Sequence, residues 1–402
     1  MIPSIHRYLN AFRNEKRGKA IFAIASSSFL LIGVQMIYPI LLPELRSNYD
    51  LGLGTAGLLL TILWLSNAIG QVPGGVLADV IGEGRILVAG TVLSAVTILF
   101  IVTAQSVVVV FSSTFLLGLG LALFGVARYT ALEDLFPEHV GSAVGVVLAA
   151  ADAGQALLPP IAGFLAAAAI WQLGFAYTLP LFAIVTAALW LYVPARTSDR
   201  DTNAETSSRE RFRHVWLAIR QRSVLYGSGT FVVYMIVWIT FTGFYPSYLI
   251  EVKDVPDLIT GILFGIFFAI GVVIKPLSGV AYDRFGIRLT LLVTSSISGI
   301  SLLIFPFVDG VVSLSILTIL VAPILSSGTV AQSHIIEALP SNIKGTGLGL
   351  VRTGGMTMAA MSPAVFGMFA DMGFFNEVFI SLAALAGLMV VLLLRIPAAG
   401  LK

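Results

Sequence analysis

Residues 75–87 read GVLADVIGEGRIL, and residues 279–291 read GVAYDRFGIRLTL. The two stretches lie 204 positions apart, and that offset sets Gly75 on Gly279, Asp79 on Asp283, Gly82 on Gly286 and Leu87 on Leu291. Working outward, the same offset sets Gly57 on Gly261, Glu133 on Glu337 and Leu135 on Leu339. It also sets Gly141 on Gly345, Gly145 on Gly349, Pro159 on Pro363 and Gly163 on Gly367. Matching leucines would be trivial in so apolar a chain; matching glycines, prolines and acids are not. The chain is therefore read as two copies of one plan, residues 1–193 and 223–402, joined by a cytoplasmic linker at 194–222.

Each copy consists of membrane-crossing segments. Of the 402 residues, 57% are hydrophobic and 11% charged, against about a quarter charged in soluble domains. The mean hydropathy is +0.97. A soluble globular protein and a disordered chain are both excluded. With no cysteine, disulfides, thiolate zinc sites, iron–sulfur clusters and cysteine nucleophiles are excluded too. A helix needs about 20 apolar residues to cross a bilayer. Twelve stretches qualify: 20–43, 55–78, 86–104, 108–130, 141–166, 172–193, 224–247, 258–280, 288–307, 312–336, 345–369 and 376–395. They are too long and too uniformly apolar for barrel strands. An all-α membrane protein follows. The first stretch is too long for a signal-peptide core and lacks a small-residue cleavage site, so it is read as an uncleaved span.

Orientation follows from lysine and arginine. With both termini cytoplasmic, the inner segments hold eighteen of the 23 basic residues, seven of them arginines in 196–222. The outer segments hold Arg46 and Lys253 beside eight acids. In the linker, Phe212, Val215, Trp216 and Ile219 recur at helical spacing among Arg209, Arg211, Arg213 and Arg220. Two readings stand: a helix lying on an anionic leaflet, or a solvated connection between domains.

Six plus six spans in parallel repeats is the plan of major facilitator transporters. The quoted stretches resemble that family's signature, G-x-L-A-D-R-x-G-R-R-x-x-L. The first copy keeps Gly75, Leu77, Ala78, Asp79, Gly82 and Leu87, but has Val80 for the arginine and Glu83-Gly84 for the basic pair, followed by Arg85. The second keeps Gly279, Asp283, Arg284, Gly286, Arg288 and Leu291. The resemblance covers essentially the whole chain. It implies twelve transmembrane helices in two pseudo-symmetric six-helix domains, working as a monomer. It also implies that Asp79, Asp283, Glu133 and Glu337 belong to an inner gate that latches the outward-open state. The plainer reading of the aspartates is a topology-fixing charge, and of the glutamates, helix-end solvation. Gly75 and Gly279 are expected to let helices approach closely.

Ionisable residues at membrane depth are functional candidates. They are Arg128, Asp152, Lys275, His334 and Arg352, on the fourth, fifth, eighth, tenth and eleventh spans. Asp152 is the deepest. The hairpin of the fourth and fifth spans is expected to bring Arg128 opposite it, as a proton-coupling acid with a changing partner or as a permanent structural pair. Arg128, Lys275 and Arg352 add cations that favour an anionic substrate, although Lys275 also lies where it can snorkel to the interface. His334 is read as a helix-end residue. Gln35, Tyr38, Tyr234 and Trp238, with other aromatics of the seventh span, suggest a wall for an organic substrate; helix packing explains them as well. Gly145, Gly154 and Pro159 match three of six fixed positions of the drug/proton antiporter signature.

The leading expectation is a secondary transporter of a small organic molecule, proton-coupled and exporting, in the cell membrane of a prokaryote. The alternative is uptake or exchange of an organic or inorganic anion. A non-transporting membrane sensor is the reading from another class. The four histidines are scattered, and no H-E-x-x-H, G-x-S-x-G or P-loop occurs, so neither an enzyme nor an ATP-driven pump is expected. No cofactor or metal is expected. A net charge of +2 argues against nucleic acid; the expected partners are a small solute, a proton and the lipid bilayer.

Overall fold

In the computed structural model, residues 15–197, 220–340 and 343–396 are described. They are helical, with no strand among them. Lipid offers no hydrogen-bond partners, so each crossing segment bonds its own backbone. Among the described residues, ten helical segments are long and apolar enough to cross a membrane. One of them, Asp257–Phe307, has 51 residues, far beyond one crossing at about 1.5 Å per residue. It turns at Gly286, whose φ is 76°, and so holds the eighth and ninth spans. The eleventh is broken into Lys344–Ala360 and Ser362–Asp371. The total is the expected twelve.

The breaks have one cause. The first span is Glu15–Gln35 and Ile37–Tyr49, parted at Met36, three residues before Pro39. The sixth is Leu173–Ala176 and Thr178–Tyr192, parted at Tyr177 before Pro180. The tenth is Val311–Val321 and Ile324–Ala338, parted at Ala322-Pro323. The eleventh parts at Met361, before Pro363. Proline has no N–H and crowds the carbonyl four residues back, so the helix yields just upstream. The remaining spans are continuous: Leu53–Ile81, Glu83–Val102, Val107–Leu135, Val140–Ala168, Arg222–Glu251 and Phe375–Arg395.

The chain divides into two compact units that do not follow the sequence halves. One holds Met1–Leu41 and Leu65–Thr202; the other holds Leu42–Trp64 and Asn203–Lys402. The second span therefore begins in one unit and ends in the other. The expected interfacial helix, with Phe212, Val215, Trp216 and Ile219, lies outside the described residues.

In the first unit the first span packs on the fifth, and the third on the fourth. Glycines set both distances. A Cβ on Gly154 would overlap the Phe29 carbonyl, and one on Gly90 would stand 2.8 Å from the Gly120 carbonyl oxygen. Tyr38 is fully buried and hydrogen-bonds Thr114 at 2.9 Å. The second unit repeats the device: Tyr245 is buried and hydrogen-bonds Thr318, 204 positions after Thr114, at 2.5 Å. Its core is aromatic, with Tyr248 on Phe379 at 4.0 Å and Phe241 on Phe267 at 5.1 Å.

Residues 42–64 are sewn into this second unit along one seam. Arg46 pairs with Glu251 through both carboxylate oxygens. The Leu53 N–H, at a helix start, donates to Asp371 at 2.8 Å, where a carboxylate complements the helix dipole. The Ala364 N–H donates to Thr61 at 3.0 Å. Gly57 faces the Pro363 carbonyl so closely that any side chain would collide with it.

Candidate functional site

The two signature turns share a backbone form that requires glycine. Gly82 and Gly286 have φ of 105° and 76°, a region that side chains disfavour. Gly75 and Gly279 have a different place from the one expected. A Cβ on Gly75 would meet Val126 at an ordinary 3.5 Å, and one on Gly279 would meet nothing within 4 Å. Neither sets a close helix approach; Gly33, Gly57, Gly90 and Gly154 do.

In the first unit the signature turn is held by residues that follow the sixth span. The Arg196 guanidinium donates to the carbonyls of Asp79 at 3.1 Å and Val80 at 2.7 Å. The Thr197 N–H donates to Glu83 and its hydroxyl to Asp134, both at 3.0 Å. Glu83 is 3% exposed. The Asp79 side chain, Glu133 and Arg85 are exposed. Asp134 thus ties the fourth span to this turn, one position from Glu133. Sequence reading missed Glu83, Asp134, Arg196 and Thr197. The cue was present in the missing basic residues at 80, 83 and 84, which leave helix-end carbonyls in need of a cation.

In the second unit Arg288 donates to the carbonyls of Leu394 and Ile396 at the end of the last span. The Tyr282 hydroxyl donates to Glu337 at 2.6 Å, which joins Glu337 to the signature helix. Asp283 and Arg284 are exposed, the latter over the Phe285 ring. His334 hydrogen-bonds Ser223 at 2.9 Å.

Deeper in the first unit stand Gln35, Arg128 and Asp152. No hydrogen bond or ion pair among the described residues joins the last two. Arg128 lies seven residues before the end of Val107–Leu135, and Asp152 twelve residues after the start of Val140–Ala168. Five residues of helix separate their levels by about 7.5 Å. The described hydrogen bonds agree, so the expected Arg128–Asp152 pair is not formed. Asp152 accepts from Gln155 at 3.2 Å. Arg128 donates from Nη2 to the Tyr129 hydroxyl at 3.0 Å and lies over that ring at 4.7 Å.

Arg128 is 7% exposed, and its Nε and Nη1 have no hydrogen-bond acceptor. Gln35, at the proline-induced break and 3% exposed, has no acceptor for Nε2. Three guanidinium N–H groups and an amide are thus buried donors without acceptors. Tyr38, expected on a cavity wall, is wholly buried core with its hydroxyl satisfied by Thr114.

In the second unit Tyr234 stacks on Trp238, with ring centroids 6.4 Å apart and planes 11° apart, and Trp64 meets Trp238 edge-on at 5.1 Å. Gly328 leaves room for the Tyr234 ring. Trp238 Nε1 is a further buried donor without an acceptor. Lys275 and Arg352 are half-buried. Among the described residues no group of acids and histidines is arranged to hold a metal.

The sequence profile of the family described as Major Facilitator Superfamily matches residues 23–363. A relative in Staphylococcus aureus (strain JH9), described as "Probable nitrate transporter NarT", is 24% identical over 318 residues, covering 77% of this chain and 78% of the relative. Two solved structures are similar in fold. One is a bacterial homolog of the human lysosomal transporter Spinster, inward-facing and unoccupied, with TM-score 0.76, 14% identity and 95% of each chain covered. The other is a D-xylose–proton symporter, with TM-score 0.73, 16% identity and 92% of this chain and 97% of that one covered.

Proposed function

The chain belongs to the major facilitator superfamily, and we propose that the small solute it transports is an anion, with nitrate the first to test. The observation that carries this reading is Arg128. A buried guanidinium with three unmatched N–H groups is costly unless something accepts from it; each unmet buried donor costs about 1–3 kcal/mol. An oxyanion is the natural complement, since it offers acceptors, no donors and a negative charge. Gln35 Nε2 and Trp238 Nε1 add unmatched donors of the same polarity. No unmatched buried carboxylate balances them among the described residues. The curated relatives described as nitrate transporters support the same class.

Proton-coupled efflux, the leading expectation from the sequence, takes second place. It rests on a half-matched signature in the fifth span and on Asp152. Asp152 serves equally as the proton site of an anion–proton symporter, because carrying protons inward offsets the charge of the anion. Both termini are cytoplasmic in this reading, with the signature turns at the inner face, and the monomer is the working unit. The two repeats, divided near 193 and 223, alternate access by moving about the solute.

A ligand screen on the purified protein tests the reading. A ligand bound only by the folded state raises the melting temperature by mass action. Nitrate and nitrite are expected to stabilise beyond a chloride control of equal ionic strength. Stabilisation by lipophilic cations or neutral aromatics, without any by anions, would return efflux to first place.

A further inference from the structure

We propose that Arg196 is the clamp of the first signature turn. It replaces the cation that the turn lacks, and it controls how readily the second span moves. The clamp acts whichever solute is carried.

The two copies show the exchange directly. Position 84 falls on position 288 at the 204-residue offset. In the second copy Arg288 reaches the last span and donates to its terminal carbonyls, Leu394 and Ile396. In the first copy the same position is Gly84, and a Cβ there would overlap the Pro194 carbonyl. The chain leaving the sixth span occupies the space that a side chain would need. Gly82 is crowded in the same way by Ala195, and Arg85 N–H donates to the Ala195 carbonyl at 3.3 Å. Having entered, this strap supplies the missing charge from the opposite side. Arg196 donates to Asp79 and Val80, whose carbonyls lie in the last turn of Leu53–Ile81. A cation is favoured at that end of a helix. Thr197 then ties the strap to Glu83 and Asp134. One short segment thereby joins the ends of the second, third, fourth and sixth spans.

The second span makes this contact consequential. It runs as one helix from Leu53 to Ile81. Its first part, to Trp64, packs in one compact unit and its remainder in the other. The far part is held by Asp371 on the Leu53 N–H, by the Ala364 N–H on Thr61 and by the Gly57–Pro363 contact; the near end is held by Arg196. A helix carries displacement along its axis. Releasing Arg196 therefore eases the parting of the seam at the far end.

The test uses the absence of native cysteine. Ala56, beside Gly57, has no exposed surface. In an Ala56→Cys background, reaction with a water-soluble maleimide reports opening of the seam, with no solute needed. Arg196→Ala is expected to raise the labelling rate about fivefold, the upper end of what a cation at a helix C-terminus contributes. Gly84→Ala is expected to do the same with Arg196 intact, by lifting the strap off the turn. Gly387→Ala, where a Cβ meets nothing within 4 Å, is expected to leave the rate unchanged. An unchanged or slower rate in Arg196→Ala and Gly84→Ala overturns the proposal, as does an equal rise in Gly387→Ala. Gly84→Ala decides the matter where Arg196→Ala does not fold.

Discussion

Replacing Arg128 with methionine separates a solute-binding cation from a structural one. Methionine keeps an unbranched stem of similar length and removes the guanidinium. If Arg128 were half of a buried structural ion pair, removing it would cost about 3–5 kcal/mol, because the partner would be left charged and buried. The hydrogen bonds of Arg128 lead to another figure. Nε and Nη1 have no acceptors, so removing their three N–H groups relieves about 3 kcal/mol, at the low end of the roughly 1–3 kcal/mol that each unmet buried donor costs. Losing the Nη2 bond to Tyr129 and the contact with its ring costs about as much, roughly 2–3 kcal/mol. The solute-free variant should therefore melt with a stability within about 1 kcal/mol of the parent. Binding should suffer far more. A charged hydrogen bond to a buried anion contributes about 1.5–3 kcal/mol, so the nitrate Kd should rise about tenfold to a hundredfold. Melting curves at a series of nitrate concentrations measure both quantities on one sample. An Arg128→Met protein destabilised by several kcal/mol refutes the accounting of unmatched donors. A variant that nitrate stabilises as strongly as the parent refutes the assignment of Arg128 to the solute.

Two other expectations concern the fifth span. Gly154→Val should lower stability by about 1–3 kcal/mol or more through overpacking, because its side chain would meet the Phe29 backbone. Gly145→Ala, with nothing within 4 Å of a Cβ, should be neutral or stabilising by up to about 1 kcal/mol through helix propensity; melting temperatures showing the reverse order would contradict the packing described. Asp152→Asn should abolish uptake driven by a pH gradient in proteoliposomes while leaving solute exchange intact. Uphill uptake at the parental rate would remove Asp152 from proton coupling.

Much of the architecture was legible in the sequence because hydrophobic length and glycine punctuation are local properties. The twelve spans, the 204-residue repeat and the tight turns at Gly82 and Gly286 were all readable residue by residue. The proline breaks in four spans follow from local chemistry as well, although hydropathy smooths over them. The candidate site was less legible. Arg128 and Asp152 stand out in the sequence as charges within apolar spans, but a pairing between them rests on an approximate hairpin turn. Each bonds a neighbour on its own helix instead, Arg128 to Tyr129 and Asp152 to Gln155. Tyr38 carried the signal of a cavity aromatic and proved to be core, because Thr114 on another span satisfies its hydroxyl. Asp134 bonds Thr197, a contact that spacing alone does not resolve because it depends on which helix face meets the strap.

The sequence by itself determined that this chain crosses a membrane twelve times, in two related halves, with the form of a major facilitator transporter. Those conclusions rest on the transfer of apolar side chains and on backbone hydrogen bonding, which each segment satisfies alone. Only the tertiary structure decided which polar groups are left unmatched. It also decided that residues 42–64 pack with the second half, and that Arg196 closes a turn more than a hundred positions away. These depend on the meeting of surfaces distant in sequence, where a glycine's missing Cβ or one helical step settles which atoms touch.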